Sequence, residues 1–166
     1  MRELDSYLND HLAGSVGALE LVDHWSKLCD GKPLAKFLAD LRKGIEEDQK
    51  ALRELMRALG INESSIRPAG AWVAEKFSRA RFAIAGDEMG GLGLVLALET
   101  IVMGITGKKL LWRALAASDL PRKANIDFVE MEQRAEEQIA RVEPERMRAA
   151  REALSGNHAM HSRFDT

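Results

Sequence analysis

Cysteine is nearly absent from this chain: Cys29 is the single one among 166 residues. No disulfide can close within the sequence, and a thiolate-rich metal site is excluded. An excess of either charge is absent too, since 24 Lys and Arg face 26 Asp and Glu for a formal net charge of -2. No basic field exists to gather nucleic acid or anionic lipid, and neither is expected as a partner. A glycine-rich phosphate loop, a dinucleotide fingerprint and a catalytic serine motif are all missing. The first residues, Met-Arg-Glu-Leu-Asp, are charged and lack the apolar run of a secretory signal, so a reduced, cytoplasmic setting is expected.

What the sequence does hold is amphipathic helix. Hydrophobic residues make up 46% and charged residues 30%, the mixture of a globular helical domain long enough to bury its own core. Four long stretches repeat apolar residues at three- and four-residue spacing. The first, about Glu3 to Cys29, carries Leu4, Leu8, His11, Ser15, Ala18, Val22, Trp25 and Cys29 on one face. Asp30-Gly31-Lys32-Pro33 breaks it, and Pro33 suits the first turn of the next helix. The second, about Leu34 to Leu59, repeats at Leu34, Leu38, Leu41, Ile45, Asp48, Leu52, Leu55 and Leu59, and Gly60 sits where a left-handed cap belongs.

The third, about Met89 to Ala117, is apolar nearly all round, with Leu92, Leu96, Glu99, Met103, Thr106 and Leu110 as one candidate buried row. Its run from Met89 to Gly107 contains Glu99, a central carboxylate that costs about 2.5–3.5 kcal/mol on membrane insertion, so a buried core helix is the better reading than a membrane span. Asp119-Leu120-Pro121 ends it. The fourth, about Ile126 to Leu154, points Phe128, Ala135, Ile139, Val142 and Ala149 inward and has Pro144 to bend it or remove a rung. Residues 156–166 read as a flexible tail beyond one helical domain of residues 1–155.

Short links make each outer pair an antiparallel hairpin, whereas Ile61 to Asp87, about 25 residues, is too long for a turn and should cross the bundle. This connection should carry a short helix after Ser65-Ile66-Arg67-Pro68, with Trp72, Val73, Phe77 and Ala80. The expected fold is therefore all-α: an antiparallel up-down four-helix bundle with a long crossover bearing a short extra helix.

Polar residues interrupt the apolar stripes. His11 and Ser15 do so on the first helix, Asp48 on the second and Glu99 on the third, while Glu132, Glu136 and Glu143 edge the fourth. An antiparallel hairpin turning near Gly31 sets Ser15 level with Asp48; one turning near Pro121 sets Glu99 level with Glu143, with Glu136 about two turns away. Buried carboxylates need a partner or a cation. Either Asp48 meets Ser15 or His11 and Glu99 meets Lys50, Arg146 or a threonine, or facing carboxylates hold a metal. The internal network is the preferred reading of the two.

Several stretches together resemble the ferritin-like superfamily, nearest to bacterioferritin-type bundles. They are Leu8-Asn9, Leu12-Ala13 and Ala18, then Ile45-Glu46-Glu47 with Ala51, then Leu96-Ala97-Leu98-Glu99, and last Glu136-Glu137. The resemblance spans about Leu8 to Leu154. It implies a bundle in which a Glu on the first and third helices and a Glu-x-x-His on the second and fourth hold two metal ions. Glu47, Glu99 and Glu136 match three of those carboxylates, but Ser15 stands for the fourth and Lys50 and Ile139 for the two histidines. An intact di-iron site is therefore not expected. Periodicity turns Asp48 inward where the resemblance selects Glu47. The ligand set for any reduced metal site, with iron, manganese or zinc, is His11, Asp48 (or Glu47), Glu99 and Glu136.

Other reactive side chains read as ordinary. His24 falls off the buried stripe, Cys29 ends it as a small hydrophobe, and His158 and His161 lie in the tail. The leading function is a non-catalytic bundle that acts by association, as a homodimer or with a protein partner, through the third helix or the Trp72 to Ala80 segment. A carboxylate-rich metal-binding protein is the second reading. The third is a small-ligand carrier whose interhelical pocket is oriented by His11, Asp48 and Glu99.

Overall fold

The computed structural model describes residues 2–63, 90–120 and 124–155. The short crossover helix, the Trp72 to Ala80 segment, His158, His161 and the C-terminal tail lie outside the described residues. Those described form four α-helices and no strand: α1 (Arg2–Leu28), α2 (Pro33–Leu59), α3 (Gly90–Ala116) and α4 (Phe128–Ser155). None of these helices is long and apolar enough to cross a membrane.

The ends follow from local chemistry. Gly60 takes φ 73 and ψ 24, and the N–H groups of Gly60 and Ile61 close back on the carbonyls of Arg57 and Met56 at 3.1 and 2.9 Å. This six-to-one and five-to-two pair ends α2 with a left-handed residue that only glycine adopts cheaply. Pro33 occupies the first turn of α2, where no N–H is needed. At the head of α4, Asp127 Oδ1 accepts from the N–H groups of Val129 and Glu130 at 2.9 and 3.2 Å, so the cap rather than Ile126 sets the start. Pro144 lies inside α4, which continues past it to Ser155.

Contacts fix how the helices run. Asp23 meets Arg42 and Ser15 meets Gln49, so α1 and α2 are antiparallel. Glu99 with Arg146, Lys109 with Glu136 and Arg113 with Glu132 do the same for α3 and α4. Across the pairs, Glu47 contacts Arg134 while the backbone of Gly44 lies against Gln138. The starts of α2 and α3 share one end of the bundle, because Leu38 and Leu41 pack in one cluster with Val95 and Leu98.

The core has two apolar halves. One gathers Val22, Trp25, Leu38, Ile45, Leu98, Ile101 and Val142; the other gathers Leu8, Leu12, Leu55, Met56, Leu111, Trp112 and Met131. The α2 stripe from Leu34 to Leu55 is buried as its spacing requires, Asp48 included. On α3 the expected row is overturned: Leu92, Met103 and Leu110 are exposed at 40%, 38% and 51%. The buried row is Leu98, Ile101, Ile105, Trp112 and Leu115. An almost wholly apolar helix has no polar face to give its orientation away, so only packing against neighbours chooses the buried side. On α4, Met131 and Gln138 are buried, while Phe128 and Ile139 are only half-buried.

Leu38 is fully buried and Leu28 is 53% exposed. Leu38→Ala is expected to lower unfolding free energy by about 2–5 kcal/mol through lost transfer energy and a residual cavity. Leu28→Ala should stay within about 0.5 kcal/mol. Urea unfolding of both variants checks the contrast.

Candidate functional site

A polar layer separates the two apolar halves. On successive helices it replaces the apolar residue one turn from its neighbours: Ser15 between Leu12 and Ala18, Asp48 between Ile45 and Leu52, Lys108 between Ile105 and Leu111, Gln138 between Ala135 and Val142. The helical spacing that builds the core therefore also stacks these four side chains at one depth.

Asp48, 3% exposed, is the centre. Its Oδ2 accepts from Lys108 Nζ, and from Gln138 Nε2 at 2.8 Å. Lys108 Nζ also donates to Gln138 Oε1, closing a three-membered ring of side chains from α2, α3 and α4. The second oxygen, Oδ1, has no hydrogen bond among the described residues and faces Arg134 Nη2 at 3.4 Å. Burial pushes the Lys108 ammonium below the ordinary lysine range, against the opposing pull of Asp48. A second chain of bonds flanks the ring: Arg53 donates to Gln49 Oε1 at 2.5 Å, Gln49 Nε2 to Ser15 Oγ at 2.8 Å, and Ser15 Oγ to the Leu12 carbonyl at 2.6 Å.

A cavity of about 70 Å³ borders the layer between α1, α2 and α3. His11, Ser15, Asp48, Lys108 and Trp112 line it together with aliphatic side chains. His11 is half-buried and meets Tyr7 edge to face, with ring centroids 4.7 Å apart. Burial lowers the His11 pKa, with Asp10 pulling weakly the other way.

The candidate ligands expected from the sequence do not converge. His11 and Asp48 share the cavity wall, but Glu99 lies outside it, 43% exposed and 3.4 Å from Arg146. Glu136 is 54% exposed beside Lys109 and Arg113. Among the described residues, no group of three or more His, Cys, Asp or Glu is placed to hold a metal. Glu47, the alternative to Asp48, is exposed and pairs with Arg134 at 3.0 Å, so periodicity gave the inward residue and the resemblance did not. The Arg146 partner expected for Glu99 is present. Asp48, however, meets Lys108, Gln138 and Arg134 rather than Ser15 or His11. His24, expected in solvent, is half-buried with Nε2 lacking a partner among the described residues. Cys29 is buried, as its place in the stripe suggests.

Lys108 and Gln138 were missed, although a signal existed. Lys108 lies in the row Ile101, Ile105, Trp112, Leu115, and Gln138 in the row Met131, Ala135, Val142, Ala149. A cation and an amide at core spacing opposite a buried carboxylate are complementary.

No family model, curated protein or solved structure matches the chain.

Glu99→Gln is expected to change stability by less than about 1 kcal/mol, because a half-exposed ion pair contributes little; a thermal melt tests it. For His11 the sign is set by its lowered folded pKa. Below the unfolded value of 6.5 the unfolded chain takes up the proton first, so this group's contribution is present above that value and lost as pH falls through it. His11→Gln should flatten the pH dependence of the urea midpoint between about pH 7.5 and 5.5.

Proposed function

We propose that this chain is a divergent ferritin-like bundle that self-associates through the outer face of α3. The polar layer would then serve as an internal network that joins α2, α3 and α4 through Asp48, Lys108 and Gln138. The observation that carries the association is the exposed apolar row Leu92, Met103 and Leu110. It extends about 27 Å along one helix, and its central carboxylate, Glu99, is already paired within the chain by Arg146. An apolar strip of that length on a helix surface is the pattern of an interface. A second copy fits it because a two-fold axis lets the strip meet itself in antiparallel register, with Leu92 facing Leu110.

The ferritin-like part rests on the quoted sequence matches, on the antiparallel α1–α2 and α3–α4 pairs, and on α2 and α3 starting at the same end. The network reading is supported by Lys108, whose ammonium supplies Asp48 with the positive charge a metal would otherwise bring.

Light scattering at tens of micromolar should report a dimer. Leu92→Arg and Leu110→Arg should each give a monomer with an unchanged helical spectrum, since both side chains are exposed in the single chain. A strictly monomeric parent would remove the association. Chelator should leave the parent's melting temperature unchanged; a drop would overturn the internal-network reading, because a metal bound only by the native state stabilises it.

A further inference from the structure

We infer that the cavity between α1, α2 and α3 is a binding site for a small apolar molecule of about three or four heavy atoms. The space originates in α1. Leu8 and Leu12 are buried on one side of it along the helix, and Leu21, Val22 and Trp25 on the other. Between Leu12 and Leu21 only Ala18 is buried. Gly14, Ser15 and Ala18 line the cavity, and Gly104 lines it from α3. Small residues on facing helices commonly let two backbones approach closely. Here they do not, because a Cβ at Gly14 or at Gly104 would meet nothing within 4 Å. The small residues instead leave a gap of about 70 Å³ in a core whose two halves are filled by large side chains. Protein interiors seldom keep an unfilled space larger than a water molecule.

The wall selects an apolar guest. Ile45 and Leu52 from α2 and Ile105 and Leu111 from α3 are buried, and the lining surface is predominantly apolar. Its polar groups are committed to one another. Ser15 Oγ accepts from Gln49 Nε2 and donates to the Leu12 carbonyl, and Gln49 Oε1 accepts from Arg53. Asp48 Oδ2 accepts from Lys108 and Gln138 and balances the lysine's charge. Water held inside a protein needs about two to four polar partners, and a wall whose hydrogen bonds are already made offers few. A dry cavity near 150 Å³ accepts benzene, so about 70 Å³ suits roughly half as many atoms. The cavity is only partly enclosed, so a guest of this size need not unfold the chain to enter.

The test uses the whole wild-type chain with its methyl groups observed by NMR. Cyclopropane serves as the apolar probe and acetamide as a polar probe of similar size. Cyclopropane should shift the methyls of Ile45, Leu52, Ile105 and Leu111 in a saturable way and leave those of Leu34 and Leu38 in place. Half-saturation near a millimolar concentration is expected, since so few heavy atoms support little tighter binding. Acetamide should produce no such shifts, because its amide finds few free partners on the wall. Ala18→Leu should fill the cavity from α1 and weaken cyclopropane binding more than about tenfold, with a helical spectrum showing that the variant folds. Should it not fold, the comparison of the two probes on the parent chain still reads the site. Absence of a saturable shift, equal shifts at Leu34 and Leu38, or acetamide binding as well as cyclopropane overturns the proposal. Undiminished binding to a folded Ala18→Leu chain does so too. None of these outcomes depends on whether the chain dimerises.

Discussion

Asp48→Ala is expected to cost about 3–5 kcal/mol, the range found when one member of a buried ion pair is removed and the other stays. Lys108 would then keep its burial and lose its carboxylate, with only Gln138 Oε1 as an acceptor among the described residues. Arg134 retains Glu47 and is affected less. Domains of this kind have about 5–15 kcal/mol in total, so the variant should unfold at far lower urea or fail to fold near body temperature. A stronger check removes the whole ring. Asp48→Leu combined with Lys108→Met and Gln138→Leu leaves no charge to desolvate, and should recover most of the loss or exceed the parent's stability. If the single variant were as stable as the parent, the ion pair would not be the buried, coupled unit described here.

Trp112→Ala should be comparably severe, about 3–5 kcal/mol. Trp112 is fully buried in the half of the core that holds Leu8, Leu55 and Met56, and its ring stacks on Phe128 with centroids 6.0 Å apart. Deleting it opens a cavity next to the one already present. Trp112→Phe should cost much less. It keeps an aromatic body against Phe128 and removes an indole N–H that is buried with no partner among the described residues, a burial that carries its own penalty of about 1–3 kcal/mol. Chemical unfolding of the two variants side by side separates lost volume from lost polarity.

The helices were legible because their evidence is local. Gly60, Pro33 and the Asp30-Gly31 turn act within a few residues of themselves. A stripe such as Leu34 to Leu55 has one apolar face and a charged opposite side, so spacing alone selects what is buried. It placed Asp48 inside against the competing claim of Glu47. The candidate site was less legible. Periodicity says that Asp48 is buried but not what meets it, because its partners come from residues 60 and 90 positions away.

By itself, then, the sequence determined four helices, their ends and the inward faces of α1 and α2, since capping and amphipathic spacing need no knowledge of neighbours. Tertiary structure alone decided which side of α3 is buried, because an apolar helix with no polar face is oriented only by what packs against it. It also decided that Lys108 and Gln138, rather than a histidine or a second carboxylate, close around Asp48. That pairing depends on the depth at which α2, α3 and α4 stack, which no single helix encodes.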